Sequence, residues 1–156
     1  MKIIKIAVIL LLGIMVMSGL ACGDGGPQGV TVNKSASGGG ARITVQRKID
    51  PYPQTPSYTG YRYIALEITI ENIGQDEKSD SSLDYIKLFD DHSKLCPQVI
   101  PCEKQPWLGE IELMPGEQVT GWKMFGVRTQ RQAVNLTFET FWEAEHKDVT
   151  LEITLQ

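Results

Sequence analysis

The sequence predicts an all-β fold, a two-sheet antiparallel sandwich carried behind a cleaved export leader and a flexible tether. Three observations point there. Apolar residues recur with period two in run after run, turn formers separate the runs, and no segment longer than ten residues holds a clean helical period. The organisation expected is a signal peptide over residues 1–21, a Gly/Ser-rich tether over 22–40 and one domain over 41–156.

The leader comes first. Lys2 and Lys5 make a short basic start, Ile6 to Met17 is apolar apart from one glycine, and small residues lead up to Cys22. This is the layout of a secretory signal removed during export. The uncharged stretch Ile6–Ala21 has 16 residues, whereas a spanning helix needs roughly 20 to cross about 30 Å of hydrocarbon. Gly19, Leu20 and Ala21 before Cys22 resemble the lipid-attachment box of bacterial lipoproteins, with Gly19 standing where leucine is usual. That resemblance implies a diacylglyceryl thioether on Cys22, since a thiol can take the lipid and two acyl chains hold a protein on a membrane where one would not. An ordinary cleaved signal with an incidental cysteine and an uncleaved membrane helix are the alternatives. The expected location is the cell membrane or outer membrane, on the extracytoplasmic face. The glycines at 23, 25, 26 and 29 and the run Ser35–Gly40 read as flexible coil.

Loss of Lys2 and Lys5 takes the formal net charge from −4 to −6. No basic run remains, so nucleic acid is not an expected partner; the membrane is reached through the lipid.

Within residues 41–156 the strands follow in order. Arg42–Ile49 places Ile43, Val45 and Arg47 on one face. Tyr61–Asn72 is the clearest run: Ile64, Leu66, Ile68 and Ile70 point one way, and Ala65, Glu67, Thr69 and Glu71 form a solvated back. Ile86 and Leu88 face inward from Asp84–Phe89, with Lys87 outward. Val119, Phe125 and Val127 mark Glu117–Val127; Val134, Leu136 and Phe138 mark Ala133–Phe141. Val149, Leu151, Ile153 and Leu155 end the chain. Turns fall at 73–76, 90–93 and 114–117.

Three stretches carry a family resemblance. Tyr63–Gly74 is a sustained strand ending in Glu-Asn-x-Gly, Ile86–Asp91 is its following strand, and Leu108–Val127 contains a Leu-x-Pro-Gly turn feeding a Gly-Trp strand. Together they resemble a domain of unknown function common in bacterial lipoproteins, whose members are often mislabelled telomeric repeat-binding factors. The resemblance covers most of residues 41–155. It implies an immunoglobulin-like sandwich, similar to a secreted immunoprotective antigen of mycobacteria, and it supplies no catalytic or binding residues.

Chemistry-bearing residues are few. Cys96 and Cys102 enclose five residues, and in an exported protein a disulfide is the expected state. It would close a short, proline-stiffened loop worth roughly 2 kcal/mol. The two histidines, His92 and His146, are not at ligand spacing, so no metal and no cofactor is expected. The acidic stretch Glu71–Asp91 lacks the calcium-loop pattern and reads as solvated, with weak calcium binding the alternative. No serine has a base motif beside it. The Pro-rich segment Asp50–Gly60 with Tyr52 and Tyr58, together with Trp107, is the candidate recognition surface, set against a plain strand connection covering a core edge. The expected function is a non-enzymatic binding or scaffolding module of unknown ligand; a small envelope-polymer hydrolase, needing only two carboxylates, is the alternative.

Overall fold

The computed structural model describes residues 29–80, 85–100, 102, 104–140 and 149–156, and among them every regular element is a β-strand. The strands are β1 (Val30–Gly38), β2 (Ala41–Tyr52), β3 (Tyr61–Asn72), β4 (Lys78–Asp80), β5 (Ile86–Asp90), β6 (Leu95–Cys96), β7 (Gln98–Val99), β8 (Ile111–Leu113), β9 (Gln118–Arg128), β10 (Ala133–Thr140) and β11 (Val149–Thr154). One sheet runs β1-β2-β3-β9-β7, the other β11-β10-β5-β6, and β4 pairs with β8. All of these pairings are antiparallel. The expected sandwich is present. The signal peptide and Cys22 lie outside the described residues.

The main core fills the space between the two sheets. Ile64, Leu66, Ile68 and Ile70 of β3 are fully buried in it, as the period-two reading expects. From the same sheet come Ile43, Val45, Phe125 and Val127; facing them are Ile86, Leu88, Leu136, Phe138, Leu151 and Ile153. Tyr85 stacks edge-on against Phe138, donates its hydroxyl to the Gly109 carbonyl, and carries the Lys123 ammonium 4.7 Å from its ring centroid.

Three expectations need correction. The tether is shorter than its composition suggests, because residues 30–38 form the edge strand β1. Val32 and Ala36 pack on the core, and Gly39 and Gly40 make the two-residue hairpin that pairs Gly38 with Ala41. Both glycines have positive φ, 54° and 73°, the conformation that the tightest hairpins require. A Cβ at Gly38 would come within 2.9 Å of Leu151, so the glycine also lets β11 close against β1.

Arg47 does not share a face with Ile43 and Val45. A bulge between Val45 and Arg47 inserts a residue and turns Arg47 to the outer face of the sheet, where it pairs with Glu67 and lies 5.3 Å over the Trp122 ring.

The back of β3 is also not solvated throughout. Ala65 is fully buried and Thr69 is buried, with its hydroxyl 2.7 Å from both Gln46 Nε2 and Thr120 Oγ1. A second apolar cluster of Ile49, Tyr63, Ala65, Cys102, Trp122 and Met124 covers this part of the outer face. The chain covers it by returning to the edge of β9. Trp122 N–H donates to the Pro106 carbonyl, Leu108 N–H donates to the Trp122 carbonyl, and Trp107 bridges Trp122 in parallel. Gly121 permits this crossing, since a Cβ there would lie 2.8 Å from Leu108 N.

The two halves of the recognisable sequence pattern meet at Asn72, which is fully buried. Its side-chain amide donates to the carbonyls of Asp76 and Leu113 at 2.8 and 2.9 Å, and its oxygen accepts the Gly74 N–H. Its backbone exchanges bonds with the Pro-Gly turn: Asn72 N–H donates to Glu117 O, and Gly116 N–H donates to Asn72 O.

Two stability predictions follow from this packing. Leu66→Ala should cost about 2–5 kcal/mol, while Thr69→Ala should cost about 1–2 kcal/mol through its hydroxyl bonds; urea melts of both variants check the facing of β3, and a larger loss at Thr69 would reverse it. Asn72→Asp places an oxygen against two carbonyls, so it should cost about 2–4 kcal/mol and more than Asn72→Ala. Equal stability of Asn72→Asp and the wild type in the same melts would remove Asn72 as a structural hub.

Candidate functional site

The clefts that stand out lie at one end of the sandwich, where the chain passes from the second sheet to the first. β6 pairs with β5 in the second sheet, Pro97 follows, and β7 then pairs with β9 in the first, Gln98 opposite Phe125 and Val99 opposite Met124. The Pro97 carbonyl accepts the Gly126 N–H at 2.8 Å. Opposite this crossing stands the Pro-rich loop between β2 and β3. Tyr63 holds it: its phenolic oxygen accepts the Ser57 N–H at 3.0 Å, and its hydroxyl reaches Ser57 Oγ. At the loop base Arg62 pairs with Asp50 at 2.7 Å and donates to the carbonyls of Arg128 and Arg131, tying the loop to the β9–β10 turn.

Between loop and crossing lies a groove of ≈ 250 Å³ walled by Tyr58, Tyr61, Tyr63, Pro97, Val99 and Ile100. Tyr58 is 71 % exposed and sits edge-on to Tyr61, with ring centroids 6.5 Å apart; Ile100 is also exposed. On the far side of Tyr61 and Pro97 is a second cleft of ≈ 260 Å³, walled by Tyr61, Asp90, Lys94, Cys96, Pro97 and Arg128. Burial opposes ionisation of Asp90, but the backbone N–H groups of Lys94 and His92, with the charge of Arg131, outweigh it and hold the carboxyl below its ordinary value. Asp90 therefore orders the turn beside the cleft. The Tyr61 hydroxyl beside Arg128 further favours the guanidinium. Lys94 and Arg128 are exposed, and neither has an ion pair with a carboxylate among the described residues.

The candidate recognition residues separate. Tyr58 stands on the rim of the first groove. Tyr52 and Trp107 do not: both are half-buried and pack on the outer apolar cluster, the role of a strand connection covering a core edge. Tyr61, Ile100, Lys94 and Arg128 were missed. The alternation of Tyr61 and Tyr63 along β3 was a signal for part of this wall, but that face reads as solvated until the loop over it is known.

The expected disulfide is absent. Cys96 belongs to the core between the sheets and Cys102 to the cluster on the outer face, because the Pro97 crossing carries the chain from one sheet to the other between them. Each thiol instead approaches a nearby carbonyl, Cys96 that of Lys94 and Cys102 that of Lys104. Burial pushes the Cys96 thiol up to about 11, Asp90 adding to the effect and Arg62 opposing it. Among the described residues no three His, Cys, Asp or Glu side chains converge as a metal site.

No protein family matches the chain, and no curated protein sequence matches it. Solved structures do match in fold. The yjhA protein from Bacillus subtilis superposes with a TM-score of 0.60 at 19 % identity, over 81 % of this chain and 98 % of that one. A "putative lipoprotein" (ycdA) from Bacillus subtilis gives 0.57 at 18 % identity, over 81 % of this chain and 39 % of that one. A functionally unknown protein from Listeria monocytogenes gives 0.56 at 10 % identity, over 82 % and 85 %. At such identities these likenesses concern the fold.

The thiol chemistry is directly testable. With its thiol pushed up to about 11, Cys96 should carry far less thiolate at pH 8 than in the unfolded chain. Native protein should resist iodoacetamide at Cys96, and unfolding without reductant should then make both Cys96 and Cys102 alkylatable, read by peptide mass mapping. A cross-linked Cys96–Cys102 peptide would reverse the assignment.

Proposed function

We propose that the chain is a membrane-anchored, extracytoplasmic binding or scaffolding module, lipidated at Cys22, of the immunoglobulin-like lipoprotein domain family that its Glu-Asn-x-Gly and Pro-Gly elements resemble. The groove walled by Tyr58, Tyr61, Tyr63 and Ile100 carries this reading. It presents aromatic and apolar surface on a pinned, proline-stiffened loop, which offers contact area at low entropic cost. The leader ending in Cys22 supports the anchor, and the shared fold with the Bacillus subtilis "putative lipoprotein" supports the extracytoplasmic location.

Binding is favoured over hydrolysis by the walls of the two clefts. Among the described residues Asp90 is the one carboxylate lining them, and its Oδ1 is taken up by two backbone N–H groups. Glycosidic hydrolysis needs a pair of carboxylates about 5 to 9.5 Å apart.

Two measurements test the proposal. Wild type should partition into detergent on phase separation, and Cys22→Ala should remain as precursor and leave the detergent phase; identical partitioning would remove the anchor. Wild type immobilised on beads should retain envelope components that Tyr58→Ala and Ile100→Asp release. Retention indifferent to both substitutions would remove the groove as the contact surface.

A further inference from the structure

The two clefts are neighbours of nearly equal size, ≈ 250 and ≈ 260 Å³, with Tyr61, Pro97 and Gly126 in both walls. Their chemistry differs. The first is neutral and aromatic. The second carries Lys94 and Arg128 with no carboxylate ion-pair partner among the described residues, in a chain whose net charge is −4. Asp90, the single carboxylate among the described residues of its wall, set against these two cations, accepts the N–H groups of His92 and Lys94 through Oδ1, and its charge also acts on Arg128. A ligand filling both must present an apolar-faced, uncharged unit beside an anionic one of similar size.

Resting on the reading that this groove is the contact surface, we infer that the paired clefts are a site for an acidic polysaccharide, with one neutral sugar ring against Tyr58 and Tyr61 and the carboxylate of the adjacent sugar on Lys94 and Arg128. A pyranose ring has a face of C–H bonds carrying partial positive charge, which suits the negative face of an aromatic ring, while its hydroxyls suit the phenol groups on the rim. Two adjoining clefts of similar volume can take neighbouring units of a polymer. A guanidinium takes a carboxylate through two parallel hydrogen bonds, and the Lys94 ammonium adds a point charge. An acidic peptide is the competing occupant, since the outermost strands β6 and β7 border the clefts, and the peptide control separates it from a sugar.

The test uses the full wild-type protein purified in detergent, titrated calorimetrically with trigalacturonate and a hyaluronan tetrasaccharide, with maltotriose as neutral control and tetra-glutamate as peptide control. At least one acidic oligosaccharide should bind, maltotriose should bind more weakly, and affinity should fall with added salt. Lys94→Gln and Arg128→Gln should each weaken binding about three- to fivefold, and Tyr58→Ala about tenfold. All three side chains are exposed, so thermal melts should be unchanged. Equal binding of maltotriose, or no effect of the two charge substitutions, overturns the acidic-sugar assignment while Tyr58 dependence keeps the groove reading. Binding of tetra-glutamate in preference to the sugars overturns the polysaccharide class. Binding of neither acidic sugar overturns the inference outright, and envelope retention indifferent to Tyr58→Ala overturns the groove reading beneath it.

Discussion

The fold depends on one buried amide. Asn72 ends β3, one of the two longest strands, and is fully buried. Its two N–H bonds go to carbonyls of the 73–77 loop and of β8, and its backbone meets the Pro-Gly turn. An unmade bond at such a depth costs more than a made one gains, so the arrangement tolerates few alternatives. Two segments distant in sequence, 72–77 and 111–117, are thereby held in a single register. Ile73 N–H also donates to the Gly40 carbonyl, which brings the β1–β2 hairpin into the same corner. This gives a physical reason for the Glu-Asn-x-Gly and Leu-x-Pro-Gly elements to occur together: they are two sides of one set of hydrogen bonds.

The opposite end of the sandwich is organised differently. There the chain changes sheets at Pro97 and then covers the outer face of β3 and β9 with the segment that carries Cys102 and Trp107. The crossing has two consequences. It sends the two cysteines into separate clusters, and it leaves a trough between itself and the Pro-rich loop. Arg62 fixes the far wall by bonding Asp50 on one side and the carbonyls of the β9–β10 turn on the other. The groove is thus a by-product of sheet switching, held open by side chains whose hydrogen bonds are largely made within the protein.

Much of the fold was legible. The inward faces of β3, β5 and β11 could be read directly, because period two in an apolar run has a single solution once one face is buried. The strand β1 escaped because Ser-Ala-Ser-Gly-Gly-Gly has the composition of a linker; its hairpin role rests on Gly39 and Gly40 taking positive φ, which composition does not distinguish. Arg47 was misplaced by a single inserted residue at the bulge, and bulges leave little local trace. Of the candidate recognition residues only Tyr58 reached the groove, since exposure of Tyr52 and Trp107 was decided by an apolar cluster assembled from four separate segments.

The sequence by itself therefore determined the properties that are local or periodic: the main strands, the turns between them, and the face that most of these strands turn to the core. These follow from side-chain chemistry over two to ten neighbouring residues. Only the tertiary structure decided which second faces are covered, where the cysteines lie, and which tyrosines share a wall with Lys94 and Arg128. Each of those depends on close approach between residues far apart in the chain, as where Gly121 lets Leu108 cross β9. No local pattern records such an approach, because the free energy that favours it arises only when the distant segments pack together.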